Sequence, residues 1–176
     1  MATICTQTIS GLAKDCATSK GGIKTVYIAN YEDVAEVTVT TDKVTGITMK
    51  DTAKFKQYNF RKGTGSMSSN LTVDAANGVN FVTTDLSLSF LRMETQKRVE
   101  MSALAVNDLA IIVEDANGVF WYLGYDEAVT ASAGTGETGV ARTDGSKYGI
   151  TLQDTASTFP YEVDATLIAD TIIEFK

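Results

Sequence analysis

Ser66-Met67-Ser68-Ser69-Asn70-Leu71-Thr72-Val73-Asp74, Ala75-Ala76-Asn77-Gly78 and Val79-Asn80-Phe81-Val82-Thr83-Thr84-Asp85-Leu86-Ser87-Leu88-Ser89-Phe90-Leu91-Arg92-Met93 decide how this chain folds. Asn-Gly accepts the positive φ values of a tight hairpin turn, so the two flanking runs are expected to pair. In the second run Leu86, Leu88 and Phe90 alternate with Asp85, Ser87 and Ser89. A period of two with one apolar and one polar face predicts a half-buried antiparallel strand.

The same chemistry recurs downstream. Residues 109–114 and 119–125 flank Asp115-Ala116-Asn117-Gly118. The two turns share a chemistry; they do not point to a duplicated unit. Further strands are expected at 23–30, apolar on both faces toward its end, and at 34–40, 44–49, 53–60, 148–153 and 172–175. Phe159-Pro160-Tyr161 reads as a bend. One helix is expected over 94–106, with Val99, Ala103 and Val106 on one stripe and Met101 and Leu104 on an adjacent one. Residues 1–22 read as an N-terminal arm, and 126–147 as a long Gly/Thr-rich loop inside a single β-rich domain spanning 23–176. A loop of that length is usually functional or ordered by a partner. The fold class is therefore mainly β, a sandwich or barrel-like sheet with one flanking helix.

Composition narrows the function. The chain has 176 residues, a net charge of −7 and no histidine. Acidity disfavours gripping a nucleic acid, because phosphate binding works by displacing counterions with Lys and Arg. The lack of histidine removes the commonest general base and metal ligand. Two cysteines, Cys5 and Cys16, make no zinc site without other ligands. Two free thiols are expected, because the opening residues lack the basic segment and apolar run of a secretory leader. No apolar run approaches the ~20 residues that span a bilayer.

Several motifs invite chemistry and fail their context. Gly134-Thr135-Gly136-Glu137-Thr138-Gly139 spells the dinucleotide pattern, which requires a preceding parallel strand and a following helix. Neither is predicted, so Gly134, Gly136, Glu137, Gly139 and Arg142 are taken as a candidate assembly loop. Asn70-Leu71-Thr72 spells a glycosylation site that matters only in a secreted chain. Asp115-Ala116-Asn117-Gly118 opens like a calcium loop without its later ligands. Glu114 with Asp115, and Asp126 with Glu127, are sequence neighbours that a strand would point to opposite faces. Phe120, Trp121 and Tyr122 are candidate core or interface aromatics, with a ligand-stacking platform as the competing reading. Arg61-Lys62 and Lys97-Arg98 read as solvated or subunit-bridging cations. No catalytic, cofactor-binding or metal residue is assigned, and no enzyme activity is expected.

Three segments together resemble a group of bacteriophage virion proteins. They are Gly21-Gly22-Ile23-Lys24-Thr25-Val26-Tyr27-Ile28-Ala29, then Ile112-Val113-Glu114-Asp115-Ala116-Asn117-Gly118-Val119-Phe120-Trp121-Tyr122-Leu123-Gly124, then residues 136–152. Within that group the order of elements is most similar to tail tube proteins. The resemblance implies a β-sandwich with a flanking helix, assembling into stacked rings, usually hexameric. Their inner strands form a barrel around a channel that conducts DNA to the host. It also implies arms and loops that bind the next ring, contacts with other tail or neck proteins, and DNA only as passing cargo. No membrane role follows from it. The location implied is the virion tail, with synthesis in the host bacterial cytoplasm. A neck ring, tail terminator or capsid decoration protein is the alternative, and a ligand-binding β-sandwich a more distant one. The polar face of residues 66–93 suits a wet wall, though the sequence does not say which hairpin lines a channel.

Overall fold

Twelve strands sort into two sheets in a computed structural model that describes residues 9–168 and 173–174. They are β1 (Ile23–Asn30), β2 (Val34–Thr40), β3 (Lys43–Met49), β4 (Phe55–Tyr58), β5 (Gly65–Asp74) and β6 (Val79–Leu91), then β7 (Leu109–Asp115), β8 (Phe120–Leu123), β9 (Thr130–Glu137), β10 (Lys147–Ala156), β11 (Tyr161–Val163) and β12 (Ile173–Glu174). The α-helix α1 (Thr95–Val106) joins β6 to β7. The large sheet has the order β12-β4-β1-β7-β8-β11-β3-β2 and curls into a half-barrel. The small sheet has the order β5-β6-β10-β9, antiparallel throughout.

The fold is mainly β because two cores demand it. Successive residues of a strand point to opposite faces. On β1 and β7, Val26, Ile28, Ile111 and Val113 therefore face the small sheet, where they meet Leu86, Leu88, Ile150 and Leu152. Their neighbours Tyr27, Ala29, Ala110 and Ile112 face the hollow of the half-barrel with Val44, Phe55 and Tyr122. Burial on both sides explains the unbroken apolar run Leu109-Ala110-Ile111-Ile112-Val113. Each such side chain contributes about 1.5–3 kcal/mol when removed from water.

Both Asn-Gly turns form where expected, and an aspartate organises each. Asp74 Oδ1 accepts the N–H groups of Ala76 and Asn77 at 3.0 and 3.2 Å. Asp115 Oδ1 accepts those of Asn117 and Val119 at 2.7 and 3.0 Å. Gly78 and Gly118 supply φ of +67° and +83°, conformations that L side chains rarely adopt.

Two expectations need correction, and the structure decides a third point that the sequence left open. Residues 126–147 are not one loop: β9 occupies Thr130–Glu137 and pairs with β10. One of its small residues, Gly136, fits a crowded site. A Cβ on Gly136 would lie 3.1 Å from Tyr148 Cε1 and 3.4 Å from Met93 Cε. Tyr161, read as the end of a bend, opens strand β11. It is held between β8 and β3 by tertiary pairing that three residues cannot announce. On α1 the buried residue is Leu104, with Met101 packed beside it, whereas Val99 and Val106 are exposed. The core meets the second of the two stripes. The expected strand at 172–175 is described only at Ile173–Glu174; Ile172 and Phe175 lie outside the described residues, as does Cys5 of the arm. Cys16 carries an exposed free thiol.

Candidate functional site

The small sheet presents a polar outer face built by its register. Register sets Leu86, Leu88, Ile150 and Leu152 inward, so Asp85, Ser87, Ser89, Thr151 and Gln153 face outward. Ser66, Ser68 and Asn70 of β5 continue that outer face on one side, and Ala133, Thr135 and Glu137 of β9 on the other. Its hydroxyls and amides hold one another. Ser87 Oγ lies 3.3 Å from Thr151 Oγ1, and Gln153 Nε2 donates to Asp85 Oδ1 at 2.9 Å. Lys147 is paired with Glu137 at 3.5 Å. The face is thus wet and close to neutral or negative, with its lysine already neutralised.

The edges of the two sheets differ. An unpaired strand edge is a template for another chain unless it is short, bulged or charged. Among the described residues the large sheet ends on β12 on one side and on the other on β2, which carries two register shifts and Glu36. The small sheet ends on β5, 10 residues in unbroken register, and β9, 8 residues with one shift. Ser89 N–H donates to Thr64 O. In an antiparallel ladder such pairs recur every second residue. Met67, Ser69, Leu71 and Val73 therefore turn their N–H and C=O groups away from β6, toward the open edge. Because the sheet has an even number of antiparallel strands, β5 and β9 run in opposite directions. The β5 of a copy related by rotation would continue the ladder beside β9.

The residues singled out from sequence separate here. Gly134, Gly136 and Glu137 stand on the β9 edge, while Gly139 and Arg142 belong to the exposed connection to β10. That connection closes on Asp144, whose Oδ2 accepts the N–H groups of Val140 and Ala141 at 3.0 and 2.8 Å. The bonds from Ala141 and Val140 hold the Asp144 carboxyl below its ordinary range. A strand, not a helix, follows the glycines, so the dinucleotide context is absent. Phe120, Trp121 and Tyr122 form no common platform. Trp121 packs on one core and donates Nε1–H to Asp115 Oδ2 at 3.2 Å; Phe120 and Tyr122 belong to the other core. Burial pushes the Tyr122 phenol up. Of the cations, Lys97 spends its ammonium on the carbonyls of Leu91 and Arg92 at 2.6 and 3.2 Å. Arg61 offers its carbonyl to Thr64.

Asp154 escaped the sequence reading. It is 3% exposed on the inward side of β10 opposite Thr84. Burial pushes its carboxyl up to about 6, with Asp126 and Glu127 adding to the rise and the Gly124 N–H opposing it. Its Oδ1 has no hydrogen-bond partner among the described residues. The signal was present: an aspartate at the third step of the apolar Ile150, Leu152 alternation.

Among the described residues no cluster of three or more acidic, Cys or His side chains is gathered to hold a metal ion. Nor is any helix there long and apolar enough to cross a membrane. Comparison with protein-family models, curated proteins and solved structures finds no match.

Proposed function

We propose that this chain is a structural subunit that closes into rings through the small sheet and stacks them as a tube of the phage-tail type. The outer face of that sheet forms the channel wall. The observation that carries the reading is the contrast in edges: β5 and β9 are long, bare and oppositely directed, while the large sheet's edge strand β2 is bulged and charged. Ring closure removes both bare edges at once. The face so enclosed is the hydroxyl-rich one, and its Lys147 is paired with Glu137, leaving no free cation on it among the described residues to hold passing DNA. The arm supports stacking. Its base is pinned where Lys20 N–H donates to Asn117 Oδ1 at 2.8 Å, and Ile9 and Leu12 beyond it are fully exposed. Apolar side chains on an unpacked arm suit burial by the next ring.

Negative-stain microscopy and sedimentation of the purified protein test this. Rings or tubes are expected from the wild type. Ser69→Pro removes an outward N–H from an edge strand, where proline is tolerated, and is expected to leave folded monomers. Ser69→Ala, which loses only the hydroxyl contact with Thr84, is expected to assemble. A wild type that stays monomeric at high concentration overturns the proposal.

A further inference from the structure

Helix α1 packs beside β9 and leaves a groove along it. Arg98, Met101, Ser102 and Ala105 form one wall of a groove of about 420 Å³, and the small residues Ala131 and Gly134 lie along its floor. Residues 131–136 of the bare-edged strand β9 line the groove. A strand laid along that edge sends alternate side chains beneath α1.

The opposite edge of the same sheet supplies such a strand. Met67, Ser69, Leu71 and Val73 of β5 share the inward side, paired with Leu86, Thr84, Val82 and Asn80. Strand β10 pairs with β6 only as far as Val82, so the end of the β5–β6 hairpin overhangs. Leu71 and Val73 are left 49% and 63% exposed. Asp74 is the single charge in β5, so nothing there repels Arg98, which forms no ion pair among the described residues.

We infer that α1 is a clamp for a second copy of this chain: the neighbour's β5 pairs antiparallel with β9, and its apolar inward side chains pack beneath α1. This rests on the ring reading above and adds a second, side-chain half to the backbone seam. The helix then has a reason to leave Arg98, Ser102 and Ala105 exposed in the monomer, because the neighbouring hairpin completes its packing.

A cysteine pair tests it. In a Cys5→Ser, Cys16→Ser background, Leu71→Cys protein is mixed with Ala105→Cys protein and treated with a short bismaleimide under assembling conditions. Covalent heterodimers are expected from the mixture, and long covalent ladders from the chain carrying both substitutions. Dimers from Leu71→Cys alone would reveal a two-fold β5–β5 contact and overturn the inference. Rings in the microscope without heterodimers overturn the clamp and leave the ring reading standing. Heterodimers in open chains without rings sustain the clamp and defeat ring closure.

Discussion

Gln153 Nε2 on β10 donates a hydrogen bond to Asp85 Oδ1 on β6 at 2.9 Å, across the centre of the polar face. The bond fixes the two middle strands at their most hydrophilic point. Asp85→Ala is expected to cost about 1 kcal/mol, read from the urea midpoint. Asp85→Lys places a cation on the proposed channel wall. Assembled Asp85→Lys tubes are expected to retain double-stranded DNA at low salt and release it as salt rises, where wild-type tubes retain none.

Leu104 and Val99 distinguish the two stripes of α1. Leu104 is buried and Val99 exposed. Leu104→Ala is expected to cost about 2–5 kcal/mol, and Val99→Ala to stay within about 0.5 kcal/mol. Equal effects in thermal melts would contradict the helix orientation.

Asp115 ties the β7–β8 turn to Trp121. Burial raises its pKa, but the hydrogen bonds from Val119, Trp121 and Asn117 outweigh it and hold the carboxyl below its ordinary value. A depressed pKa gives stability that is present above the unfolded value near 3.9 and lost as pH falls through the folded one. Asp115→Ala is expected to cost about 1–2 kcal/mol at pH 7. Trp121 fluorescence should shift, and the acid limb of the stability curve should flatten.

Asp154 acts with the opposite sign. Its folded pKa of about 6 lies above the unfolded value. Its contribution is therefore fully present below the unfolded value near 3.9 and is lost as pH rises through about 6. Asp154→Asn is expected to stabilise the protein on the order of 2 kcal/mol at pH 7, with the gain vanishing near pH 3. Paired melts at the two pH values check it; an equal difference at both contradicts it.

Gly139 has φ +71°, and a Cβ there would sit 2.6 Å from the carbonyl of Gly145. Gly139→Ala is expected to open the β9–β10 connection. Amide exchange over residues 138–146 should accelerate while the sheet amides stay protected.

Much of this fold was legible locally. Asn77-Gly78 and Asn117-Gly118 placed both hairpins, because a turn needing positive φ admits few residues. The alternation from Asp85 to Phe90 told inward from outward, because a strand's period of two is fixed by its backbone. Tertiary structure decided the rest. Strand β9 hides among Gly, Ala, Ser and Thr, because smallness alone reads as a loop; the packing of Tyr148 and Met93 asks for a small residue at Gly136. Either stripe of α1 could have faced the core; the position of the small sheet chose Leu104. The bare edges of β5 and β9 belong to no single segment. They exist only because two hairpins from distant parts of the chain pair through β6 and β10, leaving one strand unpartnered on each side.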